Sequence, residues 1–407
     1  MRLLVGPGLK DPAGEEALLV KALRSHADVV TFPGGVRSFD EVLAGLPAGW
    51  EPEAVLVRDA EFYFLPPGLE RSPWPVHALV GDYNLSFDRM LPILDCFDRF
   101  YCDERGVRIF RQLGFDQCEF FCLYGYDPEI HRDSGTPKDL DVVFVGNLNH
   151  AVQKERERAL YQLARVGARR RVLITSGVYG TEYAKLLGRA HVVFNRSIRG
   201  EANMRFFEAL GCGAVVANER LTELEHLGFK ADEHYLEVGK DVEAALDRYF
   251  DEWPEERRRQ LREAGRARLE GHSYSDRAQK LLEKIARTPV DIATRRARNV
   301  PATDMHRRWS RYLSSEIEVP GAGKLPRLHP ALLTWQRELI QDDLEVRNFD
   351  FAMWEWWLQA MAEAGLKKPM VRFLADREAL LSCTPCYSKV SEQMRQLWNT
   401  VVCGFSL

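Results

Sequence analysis

The sequence predicts an α/β protein built from two consecutive doubly wound domains and a C-terminal all-helical extension. Three observations lead there. Short apolar runs alternate with amphipathic stretches through about the first 290 residues, the sign of βαβ units around a mostly parallel sheet. A polar break over 127–139, with Pro128, Gly135 and Pro137, interrupts this alternation, which then restarts more strongly. Beyond Pro330 the pattern turns helical over 331–343, 351–364, 369–381 and 388–402.

In the first domain the runs at 2–5, 28–32, 54–57, 77–80, 99–102 and 119–123 are the expected strands, with helices over 15–25 and 104–113. Parallel strands covered on both faces read as continuous Val/Ile/Leu/Phe runs, as these do. In the second, strands are expected at 140–145, 171–175, 191–195, 214–217 and 234–238. Its helices fall over 152–165, 179–187, 204–210, 242–250 and 254–270. The domain extents are then 1–132 and 138–288, with a basic linker over 289–329 and a helical tail over 330–407. Two such domains facing each other across a cleft is the expected arrangement.

A chain of 407 residues exceeds one ordinary core, and 45% hydrophobic with 29% charged residues is a globular composition. The net charge of −4 gives no overall pull toward nucleic acid or an anionic membrane. Met1 to Gly6 runs straight into a strand, so no leader is expected. No apolar run approaches the roughly 18–20 residues that span a bilayer. The eight cysteines are scattered, with Cys102 and Cys122 in strands and Cys212 at a helix end. Buried thiols of a reducing compartment look like this, and a cytoplasmic location is expected. Cys383 and Cys386 lack a second Cys/His pair to complete a zinc tetrad, so no metal site is expected.

The chemistry concentrates in the second domain. Gly146 and Asn147 follow its first strand, where a glycine turn opens backbone N–H groups to a phosphate and the next helix adds its dipole. Lys154 or Arg156, one turn into that helix, supplies a full charge. A second segment runs from Asn195 at a strand end through Glu201 to Asn203, the expected N-cap, and on to Met204, Arg205 and Glu208. A cation in a first helical turn opposes the helix dipole, so Arg205 there implies an anion such as a diphosphate. Glu208, one turn on, suits ribose hydroxyls; the alternative is an ordinary Arg205–Glu208 surface pair.

Three pieces in order then carry a family resemblance: Phe144 to Asn147, Asn203 to Ala214, and Ala264 to Ala278 with His272 in a closing turn. From Val143 to Leu281, about a third of the chain, the sequence resembles the donor-binding domain of GT-B glycosyltransferases, nearest the spore-maturation CgeB-like group. The stretches Val76 to Asn84 and Arg111 to Gly114 resemble that group's N-terminal half, and Gly6-Pro7-Gly8 resembles a GT-B acceptor-side loop. The fold implied is a pair of Rossmann-like domains. The activity implied is hexosyl transfer from a nucleotide-sugar donor, with a UDP-sugar expected, no cofactor and no metal required. Gly146, Asn147, Asn195, Glu201, Asn203, Met204, Arg205 and Glu208 hold the donor in that reading. Arg205 and Lys154 neutralise the leaving diphosphate, and Asp82, at a first-domain strand end, activates the acceptor hydroxyl. Many retaining members space two glutamates by seven residues, whereas six separate Glu201 from Glu208, so the stereochemistry stays open.

The acceptor is open among protein, glycan and small molecule. Modified DNA rests only on the basic connector Arg295–Arg311, and a charged connector is ordinarily solvated. An inert coat scaffold is the rival from another class. An oxidoreductase would want a G-x-G-x-x-G turn, which neither domain supplies. Six of the nine tryptophans lie from Trp309 onward, and the Trp-rich tail is the expected surface for any self-association.

Overall fold

A computed structural model describes residues 1–8, 15–33, 38–58, 60, 65–83, 87, 90–148, 154–287, 290–305 and 308–309. The tail predicted to be helical, with Trp354, Trp356, Trp357, Cys383 and Cys386, lies outside the described residues. Contacts divide the chain into two units, the first comprising 1–10, 27–121 and everything from 284, the second 11–26 and 122–283.

The first unit is a six-stranded sheet of β1 (Arg2–Gly8), β2 (Asp28–Pro33), β3 (Ala54–Arg58), β4 (Val76–Leu79), β5 (Arg99–Cys102) and β6 (Cys118–Phe120). The order is β2-β1-β3-β4-β5-β6 and every pairing is parallel. Strand order reverses between β1 and β3, the switch point of a doubly wound sheet. β3 and β4 are buried along their whole length, which is why they read as unbroken apolar runs. Helix α2 (Phe39–Ala44) opens with a capping box in which Ser38 and Glu41 bond each other's backbone. Helix α3 (Glu104–Gln112) starts where Asp103 Oδ1 accepts the Gly106 N–H at 2.7 Å. The core beneath is aromatic, with Phe100 and Phe110 edge-to-face at 5.1 Å.

The second unit repeats the plan with five parallel strands: β7 (Leu140–Val145), β8 (Val172–Thr175), β9 (Ala190–Phe194), β10 (Val215–Asn218) and β11 (Leu236–Glu237). Their order, β8-β7-β9-β10-β11, puts its switch point between β7 and β9. Its helices are α4 (Lys154–Val166), α5 (Gly180–Gly188), α6 (Met204–Gly211), α7 (Thr222–His226), α8 (Val242–Asp247), α9 (Glu255–Ala267) and α10 (Tyr274–Arg287). α6 ends because Gly213 adopts a left-handed φ of 77°, and an added Cβ there would meet the Asp133 carboxylate at 2.7 Å. Helix α1 (Glu15–Arg24) also groups here, its Lys21 Nζ lying 2.8 Å from Glu129 and 3.2 Å from Asp127.

All eleven predicted strands are present; α2 and α7 are additions too short for a periodic signal, and α10 is a longer helix beyond those expected. β1 runs further than expected, through Gly6 and Pro7 to Gly8, because β2 continues to pair with it. None of the helices among the described residues is long and apolar enough to cross a membrane.

The basic connector is not solvated at Arg295. Its side chain is fully buried in the first unit, donating to Asp98 Oδ1 and Oδ2 at 2.9 and 2.7 Å. The same guanidinium serves the carbonyls of Glu70, Ser72 and Trp74, while Asp98 also accepts the Val76 N–H that opens β4. Trp309 Nε1 donates to Glu70 Oε2 at 2.8 Å, and Arg308 pairs with Asp95 at 2.7 Å. A guanidinium with its donors this fully engaged satisfies a buried charge, and removing it strands Asp98 in the core. Arg295→Ala is therefore expected to lower the stability of the first unit by about 3–5 kcal/mol in urea unfolding. A loss below about 1 kcal/mol would mean that the cluster is surface-like in energy.

Candidate functional site

The predicted donor residues gather at the β7/β9 switch point, and Arg205 is what joins them. From the first turn of α6 its Nε donates to the Val145 carbonyl at the end of β7, at 2.7 Å, and its Nη1 to Asn195 Oδ1 just past β9, at 2.8 Å. Asn195 is buried and donates through Nδ2 to Asn218 Oδ1 at 2.7 Å, and Asn218 Nδ2 donates to the Glu219 carbonyl at 2.6 Å. One guanidinium thus orients a run of amides across the carboxyl ends of β7, β9 and β10.

A second cation lies beside it. Arg156, on the first turn of α4, is buried and donates to the carbonyls of Arg196 at 2.9 Å and Asn147 at 3.4 Å. Both guanidinium groups lie over the Phe144 ring, Arg205 at 4.7 Å and Arg156 at 5.6 Å from its centroid. Neither forms an ion pair among the described residues; every acceptor they use is a neutral oxygen. Burial, then the like charge of Arg205, push the Arg156 guanidinium down to about 9, against the nearby carboxylates of Glu201 and Glu219, neither of which bonds it. Two unpaired cations so close favour an anion between or beside them. The helix end agrees: Asn203 occupies the N-cap position of α6, yet its side chain makes no capping bond and its Oδ1 is buried without a partner. That differs from the expected cap, and it leaves the first turn uncapped by any side chain.

Gly146 has a different use from the one its position suggested. Its N–H is taken by the Thr175 carbonyl at 3.0 Å, so it extends the β7–β8 ladder. What requires glycine is Arg205: a Cβ at 146 would collide with its Nη2. Lys154 begins α4, and its side chain lies outside the described residues; Arg156 is the cation the structure brings to the cluster. Met204 opens α6 half-exposed.

Glu208 does not pair with Arg205. It is buried, its Oε2 accepting from the Tyr183 hydroxyl at 3.0 Å and its Oε1 lying 3.4 Å from His131 Nε2. Burial pushes the carboxyl up to about 7, against the Tyr183 hydrogen bond and the Arg205 charge. Burial likewise holds His131 down at about 4, so the imidazole is neutral. Glu201 is buried and spent locally, accepting the N–H groups of Ile198 and Arg199 at 3.1 and 2.6 Å. Glu219 does the same for Ser197, through N–H at 2.8 Å and hydroxyl at 2.6 Å, with its other oxygen buried and unpartnered. His272 is structural, stacked on Phe207 and receiving a hydrogen bond from Arg277 at 2.9 Å.

In the first unit, Gly6 and Gly8 belong to β1 itself, and a Cβ at Gly6 would strike the Phe32 ring. Asp82 lies half-buried just past β4. Arg156, Tyr183, His131 and Glu219 complete the second unit's cluster, and only Arg156 carried a sequence signal, its place beside the glycine turn.

Residues 139–283 match the family profile described as glycosyl transferase-like. No curated protein matches the sequence significantly. Among solved structures, sucrose-phosphate synthase from Thermosynechococcus elongatus superposes with a TM-score of 0.52 at 12% identity, covering 70% of this chain and 98% of its own. The E. coli trehalose-6-phosphate structure bound with UDP-2-fluoro glucose gives 0.54 at 10% identity, covering 71% and 99%. Anabaena HepE in complex with UDP gives 0.50 at 13%, covering 71% and 100%. The fold is that of GT-B enzymes, two parallel-sheet α/β domains, and the second carries the glycosyl transferase-like segment.

Two stability measurements test this geometry. Gly146→Ala is expected to cost about 1–3 kcal/mol through collision with the guanidinium, and most of that cost should vanish in an Arg205→Ala background. Additive effects in the double-mutant cycle would deny the contact. Because the Glu208 carboxyl is raised when folded, its contribution is present at low pH and is lost as pH rises from about 4.5 through about 7. Glu208→Gln should therefore remove up to roughly 3 kcal/mol of the stability that wild type loses between pH 5 and pH 8. Parallel pH profiles for the two proteins would contradict the raised carboxyl.

Proposed function

We propose that the protein is a glycosyltransferase that moves a hexose from a UDP-sugar to an acceptor hydroxyl. The observation that carries the proposal is the pair of guanidiniums, Arg156 and Arg205, unpaired on Phe144 beside the uncapped first turn of α6. A diphosphate is the anion that suits two cations and a helix N-terminus together. The glycosyl transferase-like profile over the same residues, and the nucleotide-bound structures of the same fold, support a nucleotide-sugar as the compound bearing it. The CgeB-like resemblance belongs to this proposal too.

In the reaction the bond from the anomeric carbon to the β-phosphate oxygen breaks with its electron pair leaving on UDP. The acceptor oxygen forms the new bond and gives its proton to a base, for which Asp82 is proposed. Negative charge grows on the leaving diphosphate as the bond lengthens, so fixed cations there lower the barrier more than they tighten ground-state binding. Arg205, already pinned by Val145 and Asn195, needs little reorganisation to do this. Glu208 takes the ribose, Met204 and Asn203 border the diphosphate, and Glu201 shapes the loop on the sugar side.

UDP at about a hundred times its dissociation constant should add roughly 2.7 kcal/mol to stability in thermal unfolding. Arg205→Ala should lower kcat about a hundredfold or more with a smaller change in KM, and Arg205→Lys should keep part of the rate. Turnover should persist in chelator, since the cations are part of the chain. No thermal shift with UDP at millimolar concentration would remove the donor site, and unchanged kcat in Arg205→Ala would remove its role.

A further inference from the structure

A cavity of about 710 Å³ opens in the first unit. Phe97 and Asp98 line it from the run into β5, Asp116 and Gln117 from the run into β6, and Arg296 from the connector. It therefore borders the amino ends of two strands, the end opposite to where a doubly wound sheet ordinarily collects its ligands. Its volume is in the range of small-molecule sites, whereas its lining is charged rather than apolar. Most of those charges are matched. Arg295 is spent on Asp98, and Glu119 meets both Lys284 at 2.6 Å and Arg99 at 3.3 Å. Arg111 and Arg296 are the exceptions. Arg111, exposed in the last turn of α3, donates through Nε to the Cys118 carbonyl at 3.1 Å, and Arg296 through Nη1 to the Gly114 carbonyl at 2.8 Å. Neither forms an ion pair among the described residues, and each keeps its other nitrogens without an acceptor there. A cation at a helix C-terminus explains one nitrogen of each fork, not the rest. Gln117, in the same 114–118 turn, is more than nine-tenths buried, and its Nε2 has no partner. A buried amide donor without an acceptor is costly, and a ligand oxygen can meet it.

We propose that this cavity is a second ligand site, for a phosphomonoester whose organic part bears hydroxyl groups. Two guanidinium forks anchored at separate carbonyls suit the three terminal oxygens of a phosphate dianion, whereas a carboxylate is filled by one fork. A phosphate takes up only a small part of 710 Å³, and the exposed Asp116 carboxylate on the same wall accepts hydroxyls, not anions. The rest of the ligand therefore lies along Asp116, with an oxygen on Gln117. The site is independent of the Arg156–Arg205 cluster, which belongs to the second unit. Arg296 comes from the connector and Arg111 from the helix that leads into edge strand β6, so a phosphate held by both ties the connector to the edge of the sheet.

The test is calorimetric titration of glycerol 3-phosphate, inorganic phosphate and glycerol into the full-length protein. The ester should bind about threefold or more tightly than inorganic phosphate, and glycerol should not bind. Arg111→Gln and Arg296→Gln should each weaken the ester about tenfold or more. Hydrogen exchange of wild type needs no variant and decides the matter if either substitution does not fold. With the ester bound, exchange should slow over 114–118 and 290–299 and stay unchanged over 195–208. No binding of the ester, equal binding of glycerol, unchanged affinity in Arg111→Gln and Arg296→Gln, or protection over 195–208 instead overturns the site. Equal affinity for ester and inorganic phosphate overturns the organic ligand and leaves a phosphate site.

Discussion

β7 pairs with β9 as far as Val143 and Val193, and beyond them the switch point leaves a gap bordered by the Val145 carbonyl. Arg205 closes that gap. Its planar fork reaches the Val145 carbonyl and Asn195 from two separate nitrogens, in a fixed geometry that a lysine lacks. The consequences spread outward from that contact. Gly146 must lack a Cβ, Phe144 offers its ring face, and the Asn195–Asn218 amides are fixed in one orientation by the charge at their head. The same contact concentrates positive charge where a doubly wound sheet collects its ligands, so the constraint that completes the fold also prepares the site.

The two units handle buried charge in opposite ways. Arg295 meets a matching carboxylate and three carbonyls, so its charge is spent within the first unit and serves cohesion. Arg156 and Arg205 meet only neutral acceptors, and the burial of Arg156 beside a like charge lowers its guanidinium to about 9. A buried charge without a counter-ion is costly in a structure that has no use for it. The contrast is what points to the second unit as the proposed place for an anion.

Much of this was legible in the sequence because it is local. Unbroken apolar runs located every strand, and a strand, polar loop and glycine-terminated helix placed Asn195, Arg205 and Glu208 together. What was not legible depends on contacts distant in sequence. Arg295 looks solvated in a run of arginines, and only Asp98, nearly two hundred residues earlier, makes it a core residue. Asn203 stands where a cap belongs, yet its side chain makes no capping bond. Gly146 reads as a phosphate turn, while its N–H is spent on Thr175 and its missing side chain makes room for an arginine from another helix. His131 and Tyr183 reach Glu208 from separate elements, and no spacing rule links them. Sequence periodicity specifies which face of an element is buried, not which polar atom waits on the other side.

We propose Arg205, Arg156 and the first turn of α6 as one anion site for the donor diphosphate. A crystal structure of the protein grown with UDP tests it most directly. Both phosphates are expected within hydrogen-bond distance of the Arg205 or Arg156 guanidinium and of the α6 amides, with the Arg205 bonds to Val145 and Asn195 intact. Ordered UDP whose phosphates contact neither guanidinium would contradict it.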